Sequence, residues 1–125
     1  MNANELRINN WVSRTDGVQI QLSNIGRKGT NIGPDEFPVY IEWHMFEPIP
    51  LTPEILEKCG FEKVKSPYEE AETDDFFLAP LYFDMANTSI KINGVYQKIN
   101  YPESLHQLQN LYHALTGEEL TYNAQ

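Results

Sequence analysis

The sequence predicts an α+β fold in which a bent antiparallel sheet or small barrel of five to six strands is covered by two helices. Two stretches alternate around Asp-Gly and Asn-Gly dipeptides, which are typical of the tight turns of hairpins. Two other segments, at about 53–59 and 103–116, carry the end signals or the apolar period of helices. The 125 residues fit a single domain, 1–125, that is long enough to bury a core.

The first hairpin is predicted from residues 11–22, WVSRTDGVQIQL. If its Asp-Gly dipeptide forms a two-residue type I′ turn, pairing outward from the turn fixes which side chains share a face. The predicted apolar face holds Trp11, Val18, Ile20 and Leu22, and the other face holds Val12, Arg14, Gln19 and Gln21. A polar loop, 23–34, follows, and the alternating stretch PVYIEWHMF, 38–46, predicts the next strand.

The segment PIPLTPEILEKCGF, residues 48–61, predicts a short helix with both ends specified. Thr52 suits the N-cap and Pro53 the first helical position, where a missing N–H costs nothing. Gly60 suits the left-handed residue after the helix. Cys59, the one cysteine of the chain, lies in the last turn, where the helix dipole disfavours a thiolate, so we expect it to serve packing.

The second half of the chain predicts a loop, two strand regions and a tail. Residues 66–75 are rich in acids and predict a solvated loop. The apolar stretch 76–85 contains Pro80, which cannot donate to a ladder, so it predicts an edge or bulged strand. Residues 89–99, SIKINGVYQKI, predict a second hairpin. Residues 121–125 are expected to be a frayed tail.

The C-terminal helix is predicted by an apolar stripe of helical period. The stripe consists of Leu105, Leu108, Leu111, Tyr112 and Leu115. The opposite face carries four uncharged side chains that form hydrogen bonds, His106, Gln109, Asn110 and His113. This face is a candidate interaction surface, and the alternative is an ordinary solvated helix face.

Charge and composition exclude several classes of partner. Eighteen acids against nine bases give a net charge of −9. Nucleic acids are bound first through their phosphates, so this balance predicts no nucleic-acid binding, and it also disfavours anionic membranes. The polar N-terminus is unlike a signal peptide, and no apolar run approaches the ~20 residues of a membrane span. We therefore expect a cytoplasmic protein without disulfides.

A glycine-rich stretch with two adjacent cations, Gly26-Arg27-Lys28-Gly29, is the candidate ligand-binding site. It departs from the phosphate-binding P-loop, because the lysine does not follow a glycine and a strand pattern comes next. It also lacks the helix that a dinucleotide fingerprint requires. Two interpretations stay open: a nest of backbone N–H groups that holds an anion, and a polar connection with solvated bases.

No catalytic or metal-binding residue is predicted. His106 and His113 lie seven positions apart on one helix, too far apart to share an ion. Glu42 and His44 share one strand face, and an exposed polar pair is the favoured interpretation for them. No carboxylate pair is placed by its sequence context in an apolar pocket. We therefore expect neither a metal nor a cofactor, and we expect a protein that is not an enzyme.

Three blocks of the sequence resemble a family of small uncharacterised proteins encoded in Bacteroidetes genomes, phages and prophages. They are ELRINNWV at 5–12, PIPLTPEILEKCGF at 48–61 and HQLQNLYHALTGEEL at 106–120, in the family's order. Where the family often reads R-I-G-N, this chain has asparagine at position 9, which tolerates the left-handed backbone that glycine adopts. The resemblance implies a mobile-element context and brings no activity, cofactor or catalytic residue.

The leading functional hypothesis is a non-catalytic accessory protein of a phage or mobile element that binds a host or phage protein. The first alternative is a protein that binds and sequesters a small ligand, an anionic metabolite or a signalling nucleotide, through the Arg27-Lys28 loop. The second alternative is an acidic mimic of nucleic acid, which only the excess of acids supports.

Overall fold

The computed structural model describes residues 1–33, 39–65, 74–85, 87–97 and 101–124. Within these ranges the chain forms two α-helices, two 3-10 helices and ten strands. Most of the predicted acidic loop, 66–73, lies outside the described residues, as does the end of the second predicted hairpin.

The α+β class is confirmed, with more strands than predicted and no closed barrel in the described part of the chain. The strands are β1 Trp11–Arg14, β2 Gln19–Gln21, β3 Gly29–Ile32, β4 Val39–Glu42, β5 Phe46–Glu47, β6 Glu62–Val64, β7 Asp75–Leu78, β8 Leu81–Asp84, β9 Ser89–Ile92 and β10 Val95–Tyr96. The α-helices are α1 Pro53–Lys58 and α2 Leu105–Thr116, and the 3-10 helices are Ala3–Glu5 and Trp43–Met45. Neither α-helix is long and apolar enough to cross a membrane.

The strands make three antiparallel sheets. A five-stranded sheet has the order β10-β9-β8-β7-β6, a three-stranded sheet has the order β2-β1-β5, and β3 pairs with β4 in a two-stranded ribbon. The predicted loop 23–34 therefore contains a strand, β3. The predicted strand 38–46 is interrupted, because the 3-10 helix Trp43–Met45 separates β4 from β5.

The predicted face assignment of the first hairpin is wrong by one residue. Val12 pairs with Ile20 and Trp11 with Gln21. The N–H groups of Arg14 and Gly17 donate to the carbonyls of Val18 and Arg14, and Gly17 has a φ of +91°. The connection is therefore a three-residue loop that ends in a left-handed glycine, and the extra residue moves the register by one.

This register places β1 between two hydrophobic clusters. Val12 is fully buried in the smaller cluster with Leu22, Trp43 and Phe46. Trp11 points the other way and packs against the larger cluster, to which both α-helices and the five-stranded sheet contribute side chains. Since successive side chains of a strand point to opposite faces, a strand that is apolar on both faces joins the two clusters.

The segment 76–85 is two strands, not the edge or bulged strand that Pro80 predicted. Ala79-Pro80 forms the turn between β7 and β8, and the peptide bond is cis. Leu78 and Leu81 pair across this turn. Both strands are central in the five-stranded sheet. The missing N–H of the proline is harmless here because it falls outside the ladder.

The second hairpin turn and the ends of α1 are confirmed. Asn93 and Gly94 have φ values of +52° and +81° and join Ile92 to Val95, as a type I′ turn requires. The hydroxyl of Thr52 accepts the N–H of Ile55, and Pro53 is the first helical residue. Gly60 has a φ of +91°.

The N-terminal turn of the resemblance keeps its left-handed residue, since Asn9 has a φ of +78°. The neighbouring Asn10 is fully buried, and its side-chain oxygen accepts the N–H of Arg7 at 2.7 Å. The asparagine pair therefore holds a tight turn directly before β1.

The C-terminal segment is part of the core, which corrects the expectation of a frayed tail over 121–124. Tyr122 is buried, and its ring meets Trp11 edge-on with 5.2 Å between the centroids. The N–H of Asn123 donates to the carbonyl of Lys58 at 3.0 Å. In α2, Leu105 and Leu108 are fully buried as predicted, whereas Leu115 is 41% exposed.

Candidate functional site

The predicted interaction face of α2 is directed into the protein. Gln109 is fully buried, and its carboxamide accepts the N–H of Trp11 at 2.8 Å and donates to the carbonyl of Asn9 at 2.9 Å. These two bonds satisfy backbone groups at the start of β1 that would otherwise be buried without partners. Gln109 is therefore a structural clamp and offers no surface to a partner.

Asn110 extends this clamp to the N-terminal segment. Its side-chain oxygen accepts from Arg7 Nε at 3.2 Å and from Asn10 at 2.9 Å, and its amide donates to the carbonyl of Glu5 at 3.1 Å. The Arg7 guanidinium also pairs with Glu119 and lowers the pKa of that carboxyl group. Of the four predicted interaction residues, only His113 has a partly exposed side chain without a described structural bond.

His106 lies in a buried polar group beside a small cavity. Its Nδ1 lies 3.2 Å from the hydroxyl of Ser104, and its Nε2 lies 3.8 Å from a carboxylate oxygen of Glu5. The side chain is 2% exposed, and burial lowers its pKa although Glu5 acts in the opposite sense. The cavity measures about 220 Å³ and includes Glu103 and two prolines in its walls.

Ser104, His106 and Glu5 are residues of the types found in a catalytic triad. Their geometry, however, argues for a structural role. Ser104 is buried, and its hydroxyl caps α2 by accepting the N–H of Gln107. Nucleophilic catalysis requires a hydroxyl that can reach a substrate. The Ser104 hydroxyl is occupied and enclosed, so the group orients the first turn of α2.

Two buried carboxylates lie at one end of the β7–β8 pair. Asp75 accepts bonds from the hydroxyl of Tyr82 and from the N–H of Met85. Asp84 accepts bonds from Asn87 and from the hydroxyl of Tyr96. Burial, and then the bond to Asp75, raises the pKa of Tyr82.

The sequence does not predict this pair, because Asp75 ends the acid-rich stretch 66–75 that is typical of a solvated loop. Asp75 is the first residue of β7 and is fully buried. Both carboxylates have hydroxyl or amide donors, which is how buried acids are stabilised. In the ranges that the structure describes, no three histidine, cysteine, aspartate or glutamate side chains are grouped so that they could hold a metal ion.

The Gly26–Gly29 segment is a tight turn fastened to Trp43. The N–H of Gly26 donates to the carbonyl of Gly29 at 2.9 Å. Trp43 donates twice to the turn, from its ring N–H to the carbonyl of Gly26 and from its backbone N–H to the carbonyl of Lys28, each at 3.0 Å. Arg27 and Lys28 project from the tip and are exposed.

The described hydrogen bonds of this turn differ from those of an anion nest, in which backbone N–H groups are kept for the ligand. A nest directs several N–H groups toward one point. Here two carbonyls are directed to Trp43, and the N–H of Gly26 is already used. The glycines have a packing role instead: a Cβ on Gly29 would lie 2.3 Å from the carbonyl oxygen of Ile41.

A cleft lies between the tip of the first hairpin and β4. Its volume is about 460 Å³, in the range of small-molecule sites. Its walls are Arg14, Thr15, Asp16, Tyr40, Ile41, Glu42, His44 and Met45. The N–H of Thr15 donates to the carbonyl of Met45 at 3.0 Å and closes one end.

Exposed apolar side chains lie in the cleft walls beside polar residues that contact one another. Tyr40 and Met45 are 52% and 43% exposed. Among the polar wall residues, Arg14 Nε bonds to Asp16 at 3.0 Å and His44 Nδ1 lies 3.2 Å from Glu42. The alternating sequence predicts that Tyr40 and Glu42 share one face. It does not predict that the tip of the first hairpin lies opposite them and forms the other wall.

Comparisons with protein-family models, with curated proteins and with solved structures found no match for this chain.

Proposed function

We propose that this protein is a non-catalytic accessory protein of a phage or mobile element and acts by binding another protein at the cleft between the first hairpin and β4. The observation that carries the proposal is a pair of large apolar side chains in the cleft walls, each about half exposed: Tyr40 and Met45. Aromatic residues and methionine are enriched in protein interfaces. The resemblance of the three sequence blocks supports the mobile-element context.

The internal pairing of the cleft charges supports a protein partner over an anionic metabolite. Arg14, the cation of the cleft wall, is already bonded to Asp16. The two exposed cations at Arg27 and Lys28 lie on a turn in which the N–H of Gly26 is already bonded and the carbonyls of Gly26 and Lys28 accept from Trp43. Exposed aromatic and methionine side chains suit the core of a protein interface, where charged residues are depleted and a polar rim surrounds the apolar contacts.

Site-specific photo-crosslinking in the natural host tests this proposal. A photo-reactive phenylalanine analogue replaces Met45 in the cleft, and in a matched variant it replaces Leu115, which has a similar exposure of 41% but lies on α2. We expect one discrete protein adduct from position 45, suppressed by excess unlabelled protein, and no such adduct from position 115. The same adducts from both positions, or none from position 45, would contradict the proposal.

A small-ligand function is the second proposal, and the cleft volume of about 460 Å³ favours it. If it holds, the ligand occupies this cleft and not the Arg27-Lys28 turn. A thermal-shift screen of metabolites and nucleotides separates the two proposals: a hit lost on Tyr40→Ala and kept on Arg27→Ala supports a ligand in the cleft. The nucleic-acid mimic stays a prediction that no described contact favours.

A further inference from the structure

We propose that the outer edge of β4 is a docking site to which an extended, basic segment of another protein adds as a strand. This inference rests on the proposed function and specifies how the partner is held. Strand addition needs an open sheet edge with unused backbone N–H and C=O groups, and side chains beside that edge supply the selectivity.

The hydrogen-bond pattern of the β3–β4 ribbon identifies the free groups. The bond from the N–H of Trp43 to the carbonyl of Lys28 makes Gly29 and Glu42 a non-hydrogen-bonded pair. By the alternation of antiparallel ladders, Ile41 bonds to β3, whereas the backbone groups of Tyr40 and Glu42 point away from it. Glu42 is the N-cap of the 3-10 helix, so its carbonyl belongs to the first turn of that helix and is not counted as free.

Three backbone groups are therefore open on this edge: the N–H and C=O of Tyr40 and the N–H of Glu42. Within the described ranges no hydrogen bond reaches them. Tyr40 and Glu42 both line the cleft, so this strand edge borders it. Three consecutive residues of an extended peptide can satisfy all three groups, because their backbone repeats at the same spacing.

The opposite edge of the same ribbon is closed. The side-chain amide of Asn24 donates to the carbonyl of Asn31 at 2.8 Å, and its oxygen accepts the N–H of Asn31 at 2.9 Å. The carboxamide thus substitutes for a neighbouring strand on β3. Proteins commonly block exposed edges in such ways, so the contrast between the blocked β3 and the open β4 favours a partner at β4.

The side chains at the open edge define the chemistry of the partner. Tyr40 and Glu42 lie two positions apart on one face of β4 and are both exposed. Cross-strand neighbours interact directly, so an apolar side chain suits the position beside Tyr40 and a basic one suits the position beside Glu42. The net charge of −9 also attracts a basic segment.

A second copy of this chain fits the edge less well. Self-pairing would bring together two chains that each carry a net charge of −9, and each would contribute Glu42 to the new interface. Like charges across a pair of strands are destabilising. The proposal therefore commits to a basic segment of a different protein.

The test uses the full chain and a nine-residue probe peptide in which lysine and valine alternate. Two N-methylated forms of the probe lack the N–H groups on one edge or on the other. We expect the backbone amide resonances of Tyr40 and Glu42 to shift on titration and their hydrogen exchange to slow. One methylated form should bind about tenfold more weakly, since it loses backbone bonds, and the other should bind like the parent.

The outcomes separate strand addition from side-chain binding. The absence of shifts up to millimolar peptide, shifts confined to other residues, or equal binding of both methylated forms would overturn strand addition. Equal binding of a probe with glutamate in place of lysine would overturn the basic partner, and shifts that follow protein concentration alone would replace it with a second copy. A crosslinked host protein at Met45 together with a failed peptide titration would refute this inference and leave the proposed function standing.

Discussion

The side-chain amide of Asn24 forms hydrogen bonds to both backbone groups of Asn31, with lengths of 2.8 and 2.9 Å. The oxygen of Asn24 also accepts the hydroxyl of the buried Thr30 at 2.9 Å. One carboxamide therefore closes the outer edge of β3 and satisfies a buried hydroxyl. This arrangement fixes the β3–β4 ribbon whose other edge faces the cleft.

Asn24→Ala should lower the free energy of unfolding by about 1–3 kcal/mol, because it removes four hydrogen bonds of the side chain, one of them to the buried Thr30. It also opens a second strand edge, so we expect the variant to self-associate more readily. Urea unfolding and sedimentation velocity measure the two effects. Asn31→Ser is the matched control: it changes an exposed side chain, keeps the backbone bonds and should behave like the wild type.

Gly29→Ala should destabilise the fold for a reason that differs from that of an ordinary turn glycine. Its Cβ would lie 2.3 Å from the carbonyl oxygen of Ile41 and 2.8 Å from the Cα of Glu42, both of them backbone atoms. Separating two paired strands should cost about 1–3 kcal/mol or more, as for overpacking.

The matched control is Gly117→Ala, where a Cβ meets nothing within 4 Å and only the φ of +74° is unfavourable. It should cost about 1–2 kcal/mol from backbone strain alone. Chemical denaturation checks the order of the two variants. A Gly29→Ala protein as stable as the wild type would show that β3 and β4 do not approach closely in solution.

Features that depend on neighbours in the chain could be predicted from the sequence. The N-cap of Thr52, the left-handed Gly60 and the Asn93-Gly94 turn are each specified within a few residues, and all three are confirmed. The first hairpin failed by a single residue. Asp-Gly suits both a two-residue turn and the last positions of a three-residue loop, and the burial of both faces of β1 decides between them.

The polar face of α2 could not be assigned from the sequence because its partners are distant. Gln109 bonds to the backbone of Asn9 and Trp11, about a hundred positions earlier in the chain. A buried carboxamide and a solvated one look the same in a sequence, and only the unsatisfied backbone at the start of β1 distinguishes them. The cleft depends in the same way on the position of the first hairpin tip.

Tyr122 should contribute to stability as a core residue does. It packs edge-on against Trp11, and its hydroxyl donates to Gln19 at 2.8 Å. Tyr122→Ala should lower the free energy of unfolding by about 3–5 kcal/mol, and Tyr122→Phe by about 0.5–1.5 kcal/mol. Leu115→Ala, at an exposed position, should change it by less than about 0.5 kcal/mol. Thermal and urea unfolding check the series, and equal stabilities would restore the frayed tail.

His106 should make the stability of the fold depend on pH in a known direction. Burial lowers its pKa below the ordinary 6.5, so the unfolded chain binds the proton more tightly than the folded one. The neutral ring stabilises the fold fully above about pH 6.5, and this stability is lost as the pH falls from there toward the depressed pKa. Glu119 titrates at lower pH, since the Arg7 guanidinium holds its pKa below 4.5.

His106→Gln removes the titrating ring and keeps a polar side chain beside Ser104. We expect the wild type to lose stability relative to this variant between about pH 6.5 and pH 5, with a slope of at most about 1.4 kcal/mol per pH unit. Above about pH 7 the difference between the two proteins should be constant, because neither carries a charge at position 106. Since both proteins contain Glu119, its contribution cancels in the difference. Urea unfolding at half-unit steps of pH measures the two curves, and curves that run parallel throughout would show that the histidine is solvated in the folded protein.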